Sequence, residues 1–183
     1  MKKRSLSILL TLCMLLCIVP VSALADDTAL RSVAVQSIGP NEAEAELDLY
    51  EKMSAQVSVI KLISNIELSG SLQVDHAVTI NLNGHVLKMG DIADGSVIKV
   101  NDGGHLTIID SNPTAEHKFK VNGTDSWVLD ETSGTKTING GVIYGGNAQQ
   151  GGGVYVAENG TFTMTGGSIV GCTAKGYIAC AVV

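Results

Sequence analysis

The sequence predicts an all-β fold, a solenoid of stacked coils built from short parallel strands. Three observations carry that expectation. Apolar and polar residues alternate in short runs such as Leu72-x-Val74, Ile80-x-Leu82 and Phe162-x-Met164, the period-two mark of strands with one buried face. The runs recur: Ile98-x-Val100 and Leu106-x-Ile108 repeat the first two pairs 26 residues on, and Val154-x-Val156 and Phe162-x-Met164 repeat them 56 residues later. Finally, Leu82-Asn-Gly84-His-Val-Leu87, Ile138-Asn-Gly140-Gly-Val-Ile143 and Met164-Thr-Gly166-Gly-Ser-Ile169 share one spacing. A unit of strand, turn, strand, glycine turn and strand cannot bury itself alone, but stacked units bury one continuous core.

The chain opens Met-Lys-Lys-Arg, runs apolar from Leu6 to Val19, and reaches the small residues Ser22-Ala23-Leu24-Ala25. That pattern is a signal peptide over residues 1–25. Its apolar run falls short of the roughly 20 residues a membrane helix needs, so no membrane span is expected after cleavage. Residues 26–56 read as a flexible lead followed by a capping helix. Asn41 with Glu44 three residues on marks a helix start, and Ala43, Leu47 and Tyr50 share one face of a helix from Glu42 to Ser54. A helix laid over the first coil would cover its unpaired edges.

Residues 57–183 form the coils, about four of them. Coils stack about 4.8 Å apart, so equivalent residues lie over one another. Leu72, Ile98 and Val154 make an inward column, and Asn81, Thr107, Thr137 and Thr163 an outward one. Asn83, Asn139 and Thr165 make a corner column, each followed by glycine, where asparagine and glycine tolerate left-handed backbone. The repeat is poorest near Val128, where Asp130 and Lys136 occupy apolar positions, and Asp110–Ser133 reads as an inserted loop. Cys180-Ala-Val182 falls in register for a fifth coil. The uncharged stretch from Gly176 to Val183 would leave an apolar edge. We therefore expect the sequence to be a piece of a longer protein or a truncated product, and expect self-association through the open C-terminal coil.

The motifs TINLNGHVL, LTIIDSN and GGGVYVAENGTFTMTGGSIVG resemble right-handed parallel β-helix proteins of the pectate-lyase-like type. More narrowly, they resemble the Gly/Thr-rich, adhesin-like surface proteins of Gram-positive bacteria. The resemblance covers residues 57–173 and implies the right hand of the helix, which agrees with the general handedness of parallel crossovers. It also implies an exported protein, secreted or held at the cell surface. Two function classes follow: a non-catalytic protein presenting an extended face to carbohydrate or host ligands, or the N-terminal fragment of a polysaccharide lyase or glycosidase.

The chemistry-bearing residues favour the first. Beyond residue 25 the chain has 9 basic and 18 acidic residues, and an acidic surface repels nucleic acid. Its only arginine there is Arg31, outside the coils, whereas lyases of this fold use a basic residue at the acidic sugar. The one Asp-Asp pair, Asp26-Asp27, lies at the cleavage site. Among Asp75, Asp102, Asp110, Asp130 and Glu158, only Asp102 and Glu158 share a turn column. Counted as two coils apart, or about 9.6 Å, they sit just beyond the spacing of inverting glycosidases. His76, His85, His105 and His117 have no second ligand at metal spacing. Asp91-Ile-Ala-Asp94-Gly95 lacks the alternating acids of a Ca²⁺ loop and reads as a turn. No phosphate loop occurs. Cys172 and Cys180 could be bridged or simply buried. No catalytic residue, metal or cofactor is expected. The candidate ligand-binding residues are Trp127, Phe119 and His117, in the inserted loop that holds the chain's only tryptophan. Solenoid insertions gather on one face and often bind, although the favoured reading of Trp127 and Phe119 is that they cover the coil wall.

Overall fold

The computed structural model describes residues 36–37, 42–91, 93–123 and 126–176. The leader, the helix-start residue Asn41, Cys180 and the apolar tail lie outside the described residues. In chain order come β1 (Gln36–Ser37), α1 (Glu42–Ser54), β2 (Val59–Lys61), β3 (Ile66–Leu68), β4 (Leu72–Val74), β5 (Ala77–Asn81), β6 (Val86–Met89), β7 (Ile98–Val100) and β8 (His105–Ile109). There follow β9 (Glu116–Val121), β10 (Trp127–Leu129), β11 (Lys136–Asn139), β12 (Val142–Tyr144), β13 (Asn147–Ala148), β14 (Val154–Val156), β15 (Thr161–Met164), β16 (Ser168–Val170) and β17 (Thr173–Ala174).

Among the described residues, three parallel sheets stack as a β-solenoid of four coils. Strands β2, β5, β8 and β15 form one wall, β3, β6, β12 and β16 the second, and β4, β7 and β14 the third. The inward columns are continuous. Ile60 lies on Ile80, Ile80 on Ile108, and Ile108 on Met164. Ile66, Leu87, Ile143 and Ile169 form the matching column of the second wall. Leu72, Ile98 and Val154 share a column in the third, as the repeat requires. Ile60, Ile80, Ile108, Ile66, Leu87 and Ile143 are wholly buried, and each contributes about 1.5–3 kcal/mol of hydrophobic stabilisation.

The register differs from the 26-residue reading at one corner. Val78 pairs with Leu106 and Ile80 with Ile108, an interval of 28. The turn Asn101-Asp102-Gly103-Gly104 is two residues longer than Asp75-His76. A slip of two keeps every side chain on its own face, so the core is unchanged, but the outward threonine column becomes Thr79, Thr107 and Thr163. Asn81 sits opposite Ile109 instead. At the glycine corner, Asn83, Gly84 and Gly140 have positive φ as expected; in the last coil Gly167, not Gly166, takes that conformation.

The larger departure from the repeat lies between β8 and β12. Strand β15 pairs directly with β8, so Thr137 and its strand β11 are not in the stack. Instead β9, β10 and β11 form a three-stranded antiparallel sheet, ordered β10-β9-β11, that leaves the third coil between β8 and β12. The predicted loop is thus strand-forming, and it extends through β11. Asp130 and Lys136 fit no coil because they belong to this excursion. Asp102 and Glu158 consequently lie on neighbouring coils, since β7 adjoins β14 and β8 adjoins β15.

Helix α1 occupies its predicted span, but it turns a different face inward. Ala45, Leu49 and Met53 enter the core, whereas Leu47 is 61 % exposed. The helix packs on β3 and β4 of the first coil. Glu46 accepts from Ser69 N and Oγ at 2.6 and 2.7 Å, and the Tyr50 hydroxyl donates to the Gly70 carbonyl at 3.0 Å. Those bonds orient the helix, which is why Leu47 loses the competition for the core to Leu49. Strand β1 pairs with β2 and covers the edge of the first wall.

Candidate ligand cleft at the excursion

The excursion exists because its sequence alternates. Along β9, His117 and Phe119 are buried while Glu116, Lys118 and Lys120 are exposed. Cross-strand pairing brings Leu129 beside Phe119 and Ile138 beside His117. The resulting apolar face needs a partner, and the second wall of the coils supplies one. Val86 and Val142 point outward from that wall yet are wholly buried, forming with Phe119 a second core flanked by Trp127, Leu129, Ile138, Tyr144 and Val170. A strand buried on both faces reads as consecutive apolar residues, here Val86-Leu87 and Val142-Ile143.

Asp110 clasps the base of the excursion. Its carboxylate accepts from Gly84 N at 2.7 Å on the coil below and from Gly141 N at 2.8 Å where the chain rejoins the stack. His117 secures the interior. Its Nε2 lies 2.9 Å from the Gly84 carbonyl and its Nδ1 2.8 Å from Glu131. The turn before β11 is held by Asp130, which accepts from Ser133 N and Oγ, each at 2.8 Å, and pairs with Lys120 at 2.6 Å. Lys120 and the Ser133 donors hold the Asp130 carboxyl well below the usual carboxylate range. Beside the clasp, His85 is shifted downward as well, which for a base favours the neutral form. Burial, then the neighbouring His117, push it below the ordinary histidine value against the pull of Asp110.

The aromatic residues are arranged in a chain. Phe119 meets Trp127 edge-on at 6.0 Å between ring centroids, and Tyr144 edge-on at 5.8 Å. Phe119 is wholly buried and His117 nearly so, so the two support the site from beneath. Trp127 alone of the three sequence-derived candidates reaches open space, on two sides. On one side is an apolar groove of about 600 Å³ lined by Trp127, Ile138, Met164 and residues 165–171. On the other is a polar cleft of about 320 Å³, whose lining includes Trp127, Tyr144, Asp91, Asp94, Ser126 and Asn147. Asn147 Nδ2 donates to Asp94 Oδ1 at 3.0 Å. Gly171 lies between the two spaces with a φ of +62°, and a Cβ there would fall 2.7 Å from the Trp127 carbonyl and strike the Tyr144 ring. Only glycine lets β10 approach the fourth coil this closely.

In the sequence, Asp91 and Asp94 are weighed only as a Ca²⁺ loop and read as a turn, while Tyr144 and Asn147 escape that reading altogether. The available signal was Tyr144 itself, an aromatic residue at an outward position of a coil strand. Four of the five acids weighed for catalysis have structural partners. Asp75 accepts from Asn101 at 2.5 Å and Asp102 from Asn159 at 2.7 Å, while Asp110 and Asp130 hold the excursion. Asp102 and Glu158 are exposed. An aromatic surface beside hydroxyl, amide and carboxylate groups can stack an apolar ring face while accepting hydrogen bonds from its hydroxyls. No family model, curated protein or solved structure matches this chain.

Proposed function

We propose that the protein is an exported, non-catalytic, adhesin-like member of the right-handed parallel β-helix class, secreted or held at the cell surface, that binds carbohydrate through the cleft beside Trp127. The observation that carries this reading is the placement of Trp127. A buried Phe119 meets both Trp127 and Tyr144 edge-on, and those two residues line the polar cleft together. Phe119 and His117 belong to the proposal as supports rather than as contacts. Replacing Trp127→Ala removes the platform and is expected to abolish retention on the glycans the parent protein binds in an array. The coil core, separate from the Trp127 cluster, should hold its thermal midpoint to within a few degrees. Equal retention by the variant would overturn the reading.

One observation favours the enzyme alternative. Asp102 and Glu158, now on neighbouring coils, stand about 4.8 Å apart along the stack, near the spacing of the carboxyls in retaining glycosidases. Against it, Asn159 engages Asp102 in an open turn. Reducing-sugar release that disappears in Asp102→Asn would establish the alternative.

A further inference from the structure

Resting on the sugar-binding reading, we infer that the cleft beside Trp127 takes uncharged, hydroxyl-rich sugars and rejects uronic and sialic acids. Two carboxylates, Asp91 and Asp94, line it, and among its described lining residues there is no lysine, arginine or histidine. Two of the lysines nearest in the chain are engaged elsewhere: Lys88 pairs with Glu67 at 2.6 Å, and Lys120 with Asp130 at 2.6 Å. Asp94 takes one hydrogen bond from Asn147 through Oδ1, so Oδ2 can accept from a ligand hydroxyl. Carboxylates accept such bonds strongly, but they offer a ligand carboxylate no donor. Tyr144, Ser126 and Asn147 complete a set that matches hydroxyl groups, which both donate and accept. A sugar carboxylate seated in the cleft would instead meet the charge of both aspartates. At about 6 Å from each in a water-like dielectric, Coulomb repulsion amounts to roughly a tenfold loss of affinity. Selection against acids by this route is electrostatic, so salt must weaken it. A purely steric filter would ignore salt.

The test uses matched oligosaccharide pairs that differ only in oxidation at C6, such as oligogalactosides against oligogalacturonides, titrated calorimetrically into the purified protein. At low ionic strength the neutral member should bind at least about tenfold tighter, and the gap should shrink several-fold at about 1 M salt, where the Debye length is about 3 Å. Asp91→Asn combined with Asp94→Asn should close the gap at low salt. Both positions are exposed, and unchanged Trp127 emission checks that the variant keeps its fold. Acidic members binding as tightly as neutral ones, or a gap that survives in the double variant, would overturn the selectivity while leaving sugar binding intact. Failure of every pair to bind would overturn sugar binding itself, and the selectivity with it.

Discussion

Phe119→Ala separates the two cores of this protein. Phe119 is wholly buried in the excursion's own cluster with Val86 and Val142, apart from the columns that fill the coils. Truncating a buried phenylalanine costs about 3–5 kcal/mol, counting lost transfer energy and the cavity left behind. The edge-on contacts with Trp127 and Tyr144 are part of that loss. Because the damage falls on the docking of the excursion, a loss near 4 kcal/mol shifts its undocking equilibrium by roughly a thousandfold. The chain's single tryptophan reports it directly. In Phe119→Ala, Trp127 emission should move to the red and become several-fold more open to acrylamide quenching, while the far-ultraviolet strand signal and its thermal midpoint stay close to the parent's. Phe119→Leu should fall between the two. If Trp127 stays shielded, or if the strand signal melts early in step with the fluorescence, the excursion and coils share one cooperative core and the separation drawn here is wrong.

Two further outcomes follow from local geometry. At Gly103, φ is +74° with nothing within 4 Å of a Cβ, so Gly103→Ala should cost only backbone strain, about 1–2 kcal/mol in urea denaturation; at Gly84, with φ +76°, a Cβ would lie 2.7 Å from both Ala115 Cβ and Asn112 Nδ2, so Gly84→Ala should cost clearly more, and equal losses would refute the corner packing. Burial and the nearby His117 depress His85 in the folded state, so its contribution to stability is fully present above the ordinary histidine value of about 6.5 and is lost as pH falls below it, while the unfolded chain takes up the proton first; denaturation midpoints should therefore fall between about pH 7.5 and 5.5, with a shallower slope in His85→Gln, and an identical slope would refute the assignment.

The sequence by itself determined that the strands stack in parallel coils, because burial repeats in the residues that meet it. Leu72, Ile98 and Val154 had to share a column, since a period-two strand has one apolar face and the coil must turn that face inward. The span of α1 was equally legible from its local signals. What stayed hidden were choices between chemically equivalent options. A register slip of two leaves the hydrophobic pattern intact, so only the longer turn at Asn101–Gly104 could decide that Ile80 meets Ile108. The helix could turn Leu47 or Leu49 inward until Glu46 and Tyr50 found Ser69 and Gly70. The excursion left traces, in the His117-x-Phe119 alternation and in the doubled apolar pairs Val86-Leu87 and Val142-Ile143. These traces lie far apart in the chain, however, and nothing in either says that it covers the other. The cleft lies beyond local reading for the same reason. Asp91, Asp94, Trp127 and Tyr144 come from two coils and an insertion, and only the stacking of those coils brings them to one place.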